Sequence, residues 1–180
     1  MQYVNELFPV TPDVIAKMAE KANIKRVYLH WTAGHYGQVY DDYHISIDSD
    51  GSIYLPYNCT DLNVKRNHTY RRNTSSIAIA CCGCFDATAE PYDLGTEPIT
   101  KQQIETMAYL VAVICKHAWL SVGDVLTHCE IAKVDGYGPY SGDAETRWDL
   151  WFLQDYDGKW KPGGEIVRGK VVWYMENYNL

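Results

Sequence analysis

No run of 18 apolar residues occurs in this 180-residue chain, so no segment can cross a bilayer as a helix. Basic residues are scarce as well. Sixteen Lys and Arg face 23 Asp and Glu, a formal net charge of −7, and the one basic cluster is Lys65, Arg66, Arg71 and Arg72. Nucleic acid is held by clustered Lys and Arg, so it is not an expected partner, and this charge gives no help in approaching an anionic cell wall. The opening residues, MQYVNELFPVTPD, lack the basic n-region and long apolar h-region of a secretory signal. The chain is therefore expected to be made in the cytoplasm, with its six cysteines as free thiols. The Asn-x-Ser/Thr matches at Asn58, Asn67 and Asn73 then carry no glycan. Phe is nearly absent, with 3 residues against 15 Tyr and 6 Trp. Rings with an apolar face and a polar edge suit a surface that binds sugars or peptides, and equally suit a half-buried rim.

What is present reads as one ordinary domain. Apolar content of 47% and charged content of 22% are globular values, the length allows a core without staples, and no repeat or linker interrupts it. Thr11-Pro12-Asp13 marks a helix start, with a capping hydroxyl, a Pro in the first turn and an acid at the positive end of the dipole; the helix runs to about Ala22. Residues 24–31 read as a strand. Tyr43 to Ile47 and Ser52 to Tyr57 alternate about the turn Asp48-Ser49-Asp50-Gly51, which predicts a hairpin. Ser76 to Cys82 is a continuous run of small apolar residues, the pattern of a strand buried on both faces. Thr100 and Gln103 form a capping box ahead of Ile104, Met107, Ala108, Val111, Ile114, Cys115 and Ala118 at helical spacing. Residues 124–129 read as a strand, 135–144 as a loop and 165–178 as a helix weakened by Gly169. The expectation is an α/β fold, a central mixed sheet flanked by helices.

Two of these strands end in histidine, VYLHW at His30 and VLTHC at His128. Ligand sites favour the sheet edge at strand C-termini. Two imidazoles and a carboxylate there make a three-ligand site with an open fourth position, the arrangement of a catalytic zinc. Each His taken singly is also explained as a satisfied structural residue. His35, His44, His68 and His117 are weaker candidates as ligands. Cys81-Cys82-Gly83-Cys84 places neighbouring side chains on opposite faces and has no second pair at zinc-finger spacing. His128-Cys129-Glu130 has the His-x-Glu of a zinc deaminase, but no Cys follows Cys129, so that reading fails.

HWTAG at 30–34, YHISIDSDGSIY at 43–54, NHTYRRNTSSIAIA at 67–80, THCEI at 127–131 and RWDL at 147–150 follow one another in an order that resembles the type 2 N-acetylmuramoyl-L-alanine amidases, zinc enzymes that include phage lytic amidases and are related to peptidoglycan recognition proteins. The resemblance covers about residues 24–153 of a single amidase domain and leaves 154–180 as a C-terminal extension. It implies a Zn2+ cofactor held by His30, His128 and a downstream Asp or Cys. Asp149 fits that third place, although it lacks the neighbouring Pro-Gly and lies 149 − 128 = 21 positions after His128, which an insertion at 135–144 explains. Asp135, Asp143 and Cys129 stay open as substitutes. The resemblance also assigns catalytic roles to Tyr43 and to Arg147, two places before the third ligand, as donors to an oxyanion. The Glu that some members carry on the Ser-Ile-x-Ile strand is absent, its place taken by Ala80, Cys81 and Cys82.

The implied reaction is hydrolysis of the amide between N-acetylmuramic acid and L-alanine in peptidoglycan or a muropeptide. Trp31, Tyr36 and His68 are candidate substrate contacts, with loop packing as their alternative role. The chain is expected to act as a monomer, without membrane insertion, and on the cell wall if it is a phage lysin. A non-catalytic peptidoglycan-binding module is the rival reading. A hydrolase using one of the thiols at 81–84 with His68 is a third, disfavoured because a buried strand is a poor place for a thiolate.

Overall fold

A computed structural model describes residues 2–4 and 7–178. Its main sheet has six strands in the order β1-β4-β3-β5-β2-β6: β1 (Leu7–Val10), β2 (Arg26–Trp31), β3 (Ile45–Ile47), β4 (Ile53–Pro56), β5 (Ser76–Cys81) and β6 (Val125–Thr127). β2 lies between β5 and β6 and is parallel to both; β3 is parallel to β5, and β4 is antiparallel to β1 and β3. The sheet is therefore mixed. Four helices flank it, α1 (Pro12–Glu20), α2 (Lys101–His117), α3 (His128–Asp135) and α4 (Gly163–Asn177), and β7 (Phe152–Gln154) with β8 (Trp160–Pro162) forms a separate hairpin.

Strand alternation divides the interior into two unlike sides. Val27, Leu29 and Trp31 of β2 and Ile77, Ile79 and Cys81 of β5 join Met107, Val111 and Ile114 of α2 and Val167 and Val171 of α4 in one large apolar core. The intervening residues face the other way. Ala78 and Ala80 pack with Tyr43 in a small cluster, and the rings of Tyr28 and His30 approach His68. α1 packs on α2 and α2 on α4, so these three helices cover the large core.

The hairpin, the buried strand at 76–81 and the Thr100–Gln103 capping box are where the pattern placed them. Other elements differ. Thr11 has the extended backbone of an N-cap but makes no side-chain capping bond. β1 was not expected; its Pro9 is tolerated because β1 is an edge strand. β6 stops at Thr127, and His128 is the first residue of α3 rather than the last of a strand. The last helix opens at Gly163-Gly164, where a Cβ would meet the Leu150 carbonyl oxygen at 2.1 Å and the Glu130 carboxylate at 2.4 Å. Only glycine lets that helix approach so closely. Gly169 faces open space and costs the helix little else.

Candidate metal centre

His30 sits at the C-terminal end of β2, opposite Ala80 of β5, and is fully buried. Desolvation is the main cause that lowers its pKa, to about 4, so the imidazole is neutral near pH 7 and able to donate a lone pair. His128 reaches the same place from β6 through a sharp turn into α3. Thr127 caps that helix by accepting from Glu130 N at 3.1 Å, and the Glu130 side chain accepts from Thr127 N at 2.8 Å. Arg168 of α4 grips the same carboxylate at 2.8 and 2.6 Å and donates to the Val125 carbonyl at 3.0 Å. The turn that presents His128 is thus held by the C-terminal helix.

Asp149 lies in the segment between α3 and β7, flanked by the buried Trp148 and Leu150. Arg147 and Leu150 hold φ values of +55° and +57°, left-handed conformations that bulky residues rarely adopt. The Asp149 carboxylate spans the two rings, with Oδ2 3.2 Å from His30 Nδ1 and Oδ1 3.3 Å from His128 Nδ1. Burial alone would raise its pKa; the facing charge of His128 and the hydrogen bonds from both imidazoles prevail and hold it below the usual carboxylate range. No Lys or Arg forms an ion pair with it among the described residues.

One donor atom from each of His30, His128 and Asp149 falls within 4.8 Å of the others. Donors bound to a tetrahedral zinc at about 2.0–2.1 Å lie about 3.4 Å apart, close to the two His–Asp separations. The Nε2 atoms of both histidines, whose Nδ1 atoms face Asp149, are buried without a hydrogen-bond partner. Two imidazoles and one carboxylate fit zinc. The three substitutes for Asp149 do not join the group. Asp135 is engaged by Arg72 at 2.9 and 3.2 Å, Asp143 is exposed, and burial pushes the Cys129 thiol up to about 12.

Of the other expected site residues, Tyr43 is near the centre, and Arg147 precedes Asp149 by two positions. The Tyr43 ring is 5.2 Å from that of His30, and its hydroxyl donates to the Trp31 carbonyl at 3.3 Å. Burial first, then the charge of Asp149, pushes its pKa well up, so it remains a protonated donor. The Arg147 guanidinium lies 4.2 Å from the centre of the Tyr137 ring and 5.6 Å from that of Tyr70, and its Nη1 is buried without a partner. Neither ring was picked out from the sequence.

Of the three expected substrate contacts, only His68 lies beside the centre. Trp31 is 4% exposed and packs edge-on against Trp148 on the helix-covered side. Adjacent strand residues point to opposite faces, so His30 and Trp31 cannot both line the centre. His68 is near it but buried, with its nitrogens 3.0 Å from the Thr69 hydroxyl and 3.3 Å from that of Ser76. Its ring, 5.5 Å from that of His30, is a backing for that ligand. Tyr36 is half-buried, its hydroxyl donating to the Pro98 carbonyl and its backbone N–H to Glu97.

The sequence matches the family model described as N-acetylmuramoyl-L-alanine amidase over residues 20–141. That span holds His30 and His128 and ends 149 − 141 = 8 positions before Asp149. No curated protein matches the sequence. Similar solved structures include the N-acetylmuramoyl-L-alanine amidase LysC from Clostridium intestinale, at 18% identity and TM-score 0.45, covering 71% of this chain and 78% of that one. The Ph2119 endolysin from a Thermus scotoductus bacteriophage is 20% identical with TM-score 0.42, covering 58% and 71%. The peptidoglycan recognition protein SA of Apis mellifera is 18% identical with TM-score 0.44, covering 71% and 77%.

Proposed function

The chain belongs to the N-acetylmuramoyl-L-alanine amidase family, and on that premise we propose that it is a zinc-dependent hydrolase of the amide joining N-acetylmuramic acid to L-alanine in peptidoglycan. The observation that carries the catalytic reading is the convergence of His30, His128 and Asp149 on one point, with the Asp149 carboxylate facing Nδ1 of both rings. His30, His128 and Asp149 would hold a zinc ion, which would supply Lewis acidity toward an amide carbonyl and toward water near neutral pH. The residues around it supply the rest. Arg147, fixed by two tyrosine rings, offers an unpartnered N–H to an oxygen that gains negative charge, and the Tyr43 hydroxyl beside His30 becomes a second donor when it turns from the Trp31 carbonyl.

One observation favours a second reading, a module that binds peptidoglycan without cutting it. Opposite His30 in the sheet register stands Ala80, so no carboxylate rises from β5 to serve as a base. Mass spectrometry of purified muropeptides after incubation with the zinc-loaded protein separates the two. Release of the free stem peptide is expected, with Arg147→Ala slower by ~10²-fold, the usual cost of one oxyanion donor, yet still binding zinc. Muropeptides bound but intact would establish the binding module instead. Action at the wall of a host after phage infection is part of the same proposal, and turbidity loss of intact cells tests it.

A further inference from the structure

A cavity of about 670 Å³ lies on the helix-covered side of the sheet, and none of the residues so far placed at the metal centre lines it. Small-molecule sites range over roughly 300–1,000 Å³. Two buried indoles separate the cavity from the centre: Tyr92 on the cavity wall packs on Trp148 at 5.7 Å, and Trp148 packs on Trp31 at 4.7 Å. The cavity is formed between α2, the segment at 92–101 and the β7–β8 hairpin with α4. The last two lie outside the residues that match the family.

Its lining is specific in kind. Ile104 and Leu153 make an apolar floor from the core. Tyr92 and Trp160 stand edge-to-face at 5.3 Å, and Tyr156, in the hairpin turn, is 89% exposed. Trp160 is 50% exposed. Exposed rings at the mouth of a cavity mark a binding surface. Charge is nearly balanced. Glu105 pairs with Lys170, Asp155 pairs with Lys161 at 2.9 Å, and Asp93 and Lys101 are of opposite sign. An anionic ligand would need a surplus of positive groups, which is missing. Ring faces for C–H groups, planar side chains such as Asp93 and Gln154 for hydroxyls, and an apolar floor for a methyl together describe a neutral sugar.

We infer that this cavity is a saccharide subsite, taking an N-acetylated pyranose of a glycan chain and separate from the site that acts on the amide. That the glycan is the backbone of the substrate rests on the function proposed above; the class of ligand rests on the lining alone. The test is calorimetric titration of the full chain with chitotetraose, the tetramer of N-acetylglucosamine, which has no muramyl amide to cut. Saturable binding is expected, weakened about tenfold in Trp160→Ala and in Tyr156→Ala and unchanged in Asp149→Ala. Tyr156 is so exposed that its loss cannot unfold the chain, which guards against a misfolded Trp160 variant. Absence of saturable binding overturns the subsite, as does binding unaffected by both ring variants or lost in Asp149→Ala. Failure of amide hydrolysis would leave this titration as it is, and failure of the titration would leave hydrolysis as it is.

Discussion

The two faces of β2 are built to different rules, though they share one backbone. On the side of Val27, Leu29 and Trp31 the packing is mainly apolar and closes into the main core. On the side of Tyr28 and His30 the neighbours are imidazoles, hydroxyls and a carboxylate, with two ring nitrogens lacking partners. Buried polar groups are ordinarily satisfied because an unmade hydrogen bond costs ~1–3 kcal/mol. Unsatisfied atoms gathered on one face and absent from the strand's other face indicate a place kept for something else to bind. Function here follows residue parity along a strand.

The sharpest way to break that comparison is to remove the carboxylate. Asp149→Ala should weaken zinc binding by at least about a thousandfold, since losing even an outer-shell partner costs ~10–100-fold, and should abolish hydrolysis. Asp135→Ala, whose carboxylate serves Arg72, should bind zinc as the parent does. Competition with a chromogenic chelator measures both. If the two variants exchange these behaviours, the ligand lies at the end of α3 and the geometry around Asp149 has another purpose.

Much of this arrangement could be read from the chain where the signals are local. The hairpin at 43–57 follows from alternation about Asp48-Ser49-Asp50-Gly51, and α2 from its capping box and apolar stripe. The start of α3 was equally legible, because Thr127 and Glu130 repeat the capping-box spacing, but the apolar run at 125–126 drew the strand through to 129. Strand alternation alone denies Trp31 the face of His30. Other features have no local signal. β1 forms only by pairing with β4, across from Leu7 to Pro56. Arg147 is fixed by Tyr70 and Tyr137, far apart in sequence. Asp149 entered through family resemblance, and the left-handed turn holding it uses Arg and Leu where glycine would have announced it. Residues 163–177 fall outside the matched span, yet Val167 and Val171 are core and Arg168 steadies the His128 turn.

A second test contrasts neighbours on β2. Leu29→Ala removes a fully buried side chain from the apolar face and should cost ~2–5 kcal/mol of stability. Zinc affinity of the folded variant should stay near the parent's. His30→Ala should show the reverse pattern, with metal binding lost. Urea unfolding in the presence of chelator gives the stability, and the chelator competition gives the affinity. Equal damage to both quantities in both variants would mean that the faces are not separable.

The smallest expected effect lies at the clamp beneath His128. Burial alone would raise the Glu130 pKa, but the hydrogen bond from Arg168 and that from the Thr127 backbone outweigh it and leave the pKa lowered. A carboxylate with a lower pKa folded than unfolded adds stability above the unfolded value of ~4.3, and loses it as pH falls through the folded value. Glu130→Gln keeps an acceptor for the capping box, as Gln103 does at α2, and removes only the ion pair. That pair is partly exposed, so its loss should cost about 1 kcal/mol or less at pH 7. Stability should then fall less steeply on acidification in the variant than in the parent, both measured in chelator so that metal ligation does not contribute. Parallel acid profiles would show that Arg168 gives Glu130 no special stabilisation, and that the His128 turn is held by the Thr127 cap without help from the C-terminal helix.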